Sequence, residues 1–125
     1  SKRRQFNDLN IDWAADLVLV EGVFDAIKAD NAIPILGSSL RENSVLFAKI
    51  VEYSPKVYLA LDKDVESKSQ KIINNLLQHD VKVYKINLGG KSDVGEMSKK
   101  EFLERKRLAS FIEREDYLLY KALTL

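Results

Sequence analysis

The stretch Val57-Tyr58-Leu59-Ala60-Leu61-Asp62-Lys63-Asp64 decides how this chain folds. A short apolar run ends abruptly in two carboxylates, two positions apart. Continuous apolar runs of this length suit strands buried on both faces, as in parallel sheets. Taken alone, the Asp-x-Asp reads as a solvated strand-to-helix turn, with Asp64 as a cap. The other reading is one side of a cation site. The choice depends on what the rest of the chain brings to the same edge.

Working outward, the pattern of an apolar run followed by polar punctuation recurs. Leu17-Val18-Leu19-Val20 is followed by Glu21-Gly22, with Asp25 one turn later. Ala32 to Leu36 closes on Gly37-Ser38-Ser39. Val81 to Ile86 leads into Gly89-Gly90-Lys91-Ser92-Asp93, then Glu96. Between these runs the spacing turns helical. Val23 to Ala29 has such spacing. Ser39 and Glu42 form a capping box before a helix with Val45, Leu46, Ile50 and Val51 inward. Ser54-Pro55 stops that helix. Glu66 to Gln78 places Ile72, Ile73, Leu76 and Leu77 on one face. A second capping box, Ser98 with Glu101, opens a helix expected to run in one or two pieces toward Leu125.

Strands alternating with helices predict an α/β fold of the Rossmann type, with about four mainly parallel strands and helices on both faces. Three regions are expected: a lead-in over residues 1–15, a main α/β domain over 16–105, and a C-terminal helix over 106–125 that packs on this core or a neighbouring domain.

Bulk properties narrow the chemistry. A chain of 125 residues suits one domain. Hydrophobic content of 46% and charged content of 31% are ordinary for a globular protein. A formal charge of +1 exerts no global pull on nucleic acid or membrane, so steering must come from local patches. The chain has no cysteine and a single histidine, His79, which removes disulfides, thiolate chemistry and a cysteine zinc site. No apolar run approaches the roughly 20 residues of a membrane helix, and no signal peptide is visible.

Ligands of open parallel sheets bind just beyond the carboxyl ends of the strands. Three of the four expected strands deliver acids there: Glu21 and Asp25, Asp62 and Asp64, Asp93 and Glu96. Gathered carboxylates repel, and a hard divalent cation relieves the repulsion. Oxygen ligands and the lack of sulfur suit Mg²⁺. Plainer roles exist for some of these acids. Asp93 can cap a short helix, and Asp25 can complement a helix N-terminus. Glu21 is harder to explain that way, since glutamate is a poor turn residue directly after a buried strand.

The motifs resemble those of a known family. Leu17-Val-Leu-Val-Glu-Gly-Val-Phe-Asp25 resembles the first motif of the Toprim domain, in the Glu-Gly-x-x-Asp form of bacterial and phage-type DNA primases. Ile35-Leu-Gly-Ser-Ser39 is similar to their small-residue turn after the second strand. Val57 to Asp64 resembles the Toprim Asp-x-Asp motif, and Lys91-Ser-Asp-Val-Gly-Glu96 the later acidic motif. The resemblance spans roughly residues 16–105, with the motifs in order. Two departures stand out. Val65-Glu66-Ser67-Lys68 replaces the small residues that usually follow the Asp-x-Asp, and the last motif has one Asp where primases often have two close acids.

The resemblance implies a Toprim fold and a primase-type nucleotidyltransferase that makes short RNA primers on single-stranded DNA. It implies Glu21 as the acid–base residue. Asp62 and Asp64 would be the principal Mg²⁺ ligands, with Mn²⁺ as a substitute, and Glu21, Asp25 and Asp93 would complete the metal set. Lys91, Gly37, Ser38, Lys99 and Lys100 are candidate contacts for nucleic acid or nucleotide. The expected partners are nucleoside triphosphates, template and a replicative helicase, without a membrane, in the cytoplasm of a bacterium or a phage-infected host. No zinc ribbon or basic template-holding region is visible, and the chain begins at Ser1. It is therefore expected to be a fragment of a longer enzyme, inactive alone. Two alternatives share these residues: a small Toprim nuclease, and a non-catalytic Toprim module that recruits replication or recombination proteins.

Overall fold

The computed structural model describes residues 11–22, 26, 29–35, 44–62, 64, 69–89, 94–115, 117 and 123. The chain is α/β. In chain order the elements are β1 (Leu17–Val20), β2 (Ala32–Pro34), α1 (Val45–Tyr53), β3 (Val57–Ala60), α2 (Gln70–Gln78), β4 (Val83–Lys85), a 3₁₀ turn (Val94–Glu96), α3 (Lys99–Arg107) and β5 (Ser110–Phe111). The strands form one sheet of five in the order β2-β1-β3-β4-β5. The pairs β1/β2, β1/β3 and β3/β4 are parallel, and β4/β5 is antiparallel.

Each face of the sheet has its own core, which is why the strands read as unbroken apolar runs. Leu17 and Leu19 of β1 point into the first core, with Ile33, Val57, Leu59 and Val83. Helices α1 and α2 close that core through Leu46, Phe47 and Ile50, and through Ile73, Leu76 and Leu77. Val18 and Val20 point the other way, into a second core with Ala32, Ala60, Ile86, Leu88, Met97 and Phe102. Alternation along the strand thus supplies both layers from one four-residue run.

Local chemistry explains the element ends. The Ser44 hydroxyl accepts from the Phe47 amide at 3.0 Å and caps α1. The capping box expected at Ser39 and Glu42 lies outside the described residues. Ser54 ends α1 in the left-handed conformation, φ 48°, and Pro55 follows. The box at Ser98 is formed on the serine side: its hydroxyl accepts from the Glu101 amide at 3.0 Å. Pro34 is tolerated because β2 is an edge strand, and Ile35 resumes pairing by donating to Val20 O at 2.9 Å.

Two features differ from the sequence reading. Helix α3 ends at Arg107, and Ser110–Phe111 turns back as a fifth, antiparallel strand that was not expected, while residues 114, 115, 117 and 123 beyond it are helical, as a helix in two pieces requires. Residues 11–15, expected as lead-in, are packed on the domain. Ile11 and Trp13 lie against the first core, and Trp13 stacks on Tyr53 at 5.9 Å. The Asn31 side chain fastens this segment: it accepts from the Asp12 amide at 2.7 Å and donates to Asp16 O at 2.7 Å. Among the described residues, no helix is long and apolar enough to cross a membrane.

Candidate metal and phosphate site

The strand order places β1 between β2 and β3. The chain leaving β1 crosses to β2 over the second core, where Ala26 and Ala29 pack. The chain leaving β3 crosses toward β4 through α2, over the first core. The two connections therefore part to opposite faces at the carboxyl ends of β1 and β3. This reversal of strand order is where open α/β sheets bind ligands.

Glu21 and Asp62 stand at that reversal. Val20 is in register with Ala60, so Glu21 and Gly22 emerge beside Leu61 and Asp62. Neighbouring strands are about 4.8 Å apart, which sets the scale of the approach. Glu21 is half-buried, and its Oε1 is shielded from solvent. Asp62 is half-buried as well, whereas Asp64 is exposed at a helical position. Gly22 bends the chain, and its carbonyl accepts from the Ala26 amide at 3.1 Å. A Cβ at Gly22 would meet nothing within 4 Å, so space rather than crowding surrounds that position.

Among the described residues, no three Asp, Glu, His or Cys side chains are grouped closely enough to hold a metal ion. Glu21, Asp62 and Asp64 therefore do not form a closed three-ligand cage. Mg²⁺ seldom needs one, since it usually keeps waters and substrate phosphates beside one or two carboxylates. The acids at hand are a half-buried pair on adjacent strands plus an exposed third, all oxygen donors, and this set fits such an ion. Asp25, Asp93, Lys91, Gly37 and Ser38 lie outside the described residues.

Four of the five basic residues of α3 are locally neutralised. Lys99 pairs with Asp30 at 3.3 Å, Arg105 with Glu101 at 3.5 Å, Lys106 with Asp16 at 3.3 Å, and Arg107 with Glu104 at 2.5 Å. The Arg107 hydrogen bond, helped by its charge, holds the Glu104 carboxyl below its ordinary range. Exposed pairs of this kind stabilise little, yet they cancel the field that phosphates would feel. This works against Lys99 as a nucleic-acid contact. Lys100 lines an open groove of about 590 Å³ along α3 with Ser98, Glu101, Glu104, Arg105 and Leu108, a lining of mixed charge.

Two arrangements have no simple sequence signal. Tyr58, Tyr84 and Phe111 stand side by side across β3, β4 and β5, with ring centroids 4.9 Å and 5.2 Å apart. Lys106 covers the Tyr58 ring at 4.9 Å. Burial, then the Asp16 charge and Tyr84, push the Tyr58 hydroxyl pKa up. The second arrangement is Arg105 beside Gly89. Gly89 has φ 64°, and a Cβ there would collide with the Arg105 guanidinium. Arg105 Nη1 donates to Asn87 O at 3.0 Å, while Asn87 Oδ1 accepts from the Gly89 amide at 2.7 Å. The sequence marks a chain break at Gly89-Gly90 but shows no link to an arginine on α3.

No family model matches the chain, and no curated protein or solved structure matches it.

Proposed function

We propose that this chain is the metal-binding catalytic part of a DNA primase of the Toprim type, working within a longer enzyme in a bacterial or phage replication system. Its reaction is Mg²⁺-dependent joining of ribonucleotides on a single-stranded DNA template. One observation carries the reading: Glu21 and Asp62 leave adjacent, in-register parallel strands at the point where the sheet reverses its order. The motif resemblance supplies the reaction class.

Each residue has a physical task. Asp62 and Asp64 bring negative charge to the edge where a cation and triphosphate oxygens meet. Glu21, half-buried and shielded at one oxygen, is held in a defined position and takes the proton of the attacking 3′-hydroxyl. When bound, Mg²⁺ supplies charge neutralisation at the reacting phosphate and the departing pyrophosphate. Phosphoryl chemistry of this kind depends mainly on positioning, which strand ends provide better than loops.

Titration calorimetry with Mg²⁺ and Mn²⁺ tests the reading. The wild-type chain binds, and Asp62→Ala loses binding. Equal binding by the two proteins sinks the metal assignment. Cleavage of DNA or RNA by the isolated chain with Mn²⁺ replaces primase with nuclease on the same residues.

A further inference from the structure

We infer that the aromatic row across β3, β4 and β5 is a stacking platform for single-stranded nucleic acid, with a base seated on Phe111 and phosphates held by Lys82 and Lys56. The surface is separate from the acids at the carboxyl ends of β1 and β3. Its frame is the register of the sheet. Tyr58 lies opposite Tyr84, and Tyr84 opposite Phe111, so the three side chains leave one face as neighbours. Tyr58 and Tyr84 stack with centroids 4.9 Å apart and planes 14° apart. Phe111 extends the row at 5.2 Å, its ring tilted by 60°. The Lys106 ammonium closes the inner end, 4.9 Å from the Tyr58 centroid.

The outer end of the row is open. β5 is the last strand of the sheet, and Phe111 is 48% exposed. Among the described residues it meets a ring on its Tyr84 side and none on the other. The charge nearby selects a base as the next ring. Val57, Val81 and Val83 face the first core, so alternation turns Lys56 and Lys82 to the face that carries the row. The Val57 amide donates to Lys82 O at 2.9 Å, which sets the two lysines side by side, one position before Val57 and Val83. Both are exposed, and among the described residues neither forms an ion pair, unlike Lys99, Arg105, Lys106 and Arg107. The acids at hand are Asp16, which Lys106 neutralises, and Glu113, two residues past Phe111. Two unpaired lysines against Glu113 leave the neighbourhood of the exposed ring positive. Bases of any sequence stack on aromatic faces, and lysines beside the stack hold the phosphates that link them. A duplex spends its base faces on its own stack, so only a single strand uses Phe111 in this way.

The test titrates the full chain into a short, fluorescently labelled oligothymidylate at low salt, read by anisotropy. EDTA is present, so the outcome is independent of the metal reading. The wild-type chain binds the single strand, and binds it more tightly than the same strand annealed to oligoadenylate. Phe111→Ala and Phe111→Leu each lose about tenfold in affinity, the scale of one stacked base, while Phe111→Trp keeps it. Phe111→Leu retains apolar bulk without the aromatic face, which separates stacking from simple burial. Lys82→Ala lowers the slope of log affinity against log salt by about 0.7, the share of one phosphate on a single strand. Leu103→Ala, an apolar residue of α3 that is 60% exposed, keeps wild-type affinity. Thermal melts verify folding; should the Phe111 variants not fold, the salt slopes of Lys82→Ala and Lys56→Ala decide. No binding by the wild-type chain, wild-type affinity in Phe111→Leu, an unchanged salt slope in Lys82→Ala, or equal binding of the duplex overturns the platform. Self-association that Phe111→Leu abolishes, with no binding of the oligonucleotide, overturns it in favour of a contact between copies of the chain.

Discussion

Truncating Phe102 to alanine probes the attachment of α3 to the sheet. Phe102 is 1% exposed and is the only buried residue of that helix. A buried phenylalanine removes about 200 Å² from water, worth about 5 kcal/mol at about 25 cal/mol per Å², as an upper bound. Measured Phe→Ala losses of about 3–5 kcal/mol agree with that scale. For 125 residues the unfolding entropy is about 0.26 kcal/mol/K, at about 2.1 cal/mol/K per residue. Phe102→Ala is therefore expected to lower Tm by about 11–19 °C. Leu103, its neighbour, is 60% exposed, and Leu103→Ala should stay within about 0.5 kcal/mol of wild type. Calorimetric or circular-dichroism melts of the three proteins make the comparison. A Tm for Phe102→Ala no lower than that of Leu103→Ala would refute the second core as drawn.

Two further outcomes are expected. In the full-length enzyme, Glu21→Gln removes primer synthesis while the melting temperature stays near wild type; a variant that still extends primers ends the acid–base assignment. Tyr58 has its pKa raised above the ordinary value of 10.0 by burial, then by Asp16 and Tyr84. Its neutral form is favoured on folding, so its contribution is complete below about pH 10 and is lost as pH rises through the raised folded value. Urea midpoints should fall more steeply for wild type than for Tyr58→Phe in that alkaline window, and parallel curves would contradict the shift.

The sequence alone determined whatever depends on neighbours along the chain. Leu17–Val20 and Val57–Ala60 are strands because both faces of each are apolar, which also announces a sheet covered on both sides. Ser98 caps α3 because its hydroxyl and the Glu101 amide are three residues apart. The acids after each run are visible for the same reason. Tertiary structure decided what depends on pairing across distance. Ser110 and Phe111 are both exposed, show no alternation, and follow Leu108-Ala109 without a glycine or proline stop. They become a strand only because Lys85 and Tyr84 offer a free edge to pair with. Residues 11–15 dock because Asn31, just before β2, turns its side chain toward Asp12 and Asp16 and because Ile11 and Trp13 meet the first core. The adjacency of β1 and β3, which sets Glu21 beside Asp62, depends on strand order, and strand order is absent from any local pattern. Arg105 on Gly89 joins residues sixteen positions apart through the way α3 packs. Periodicity and capping act over a few residues, so a sequence displays them; register, crossing and packing are energies of the whole assembled chain.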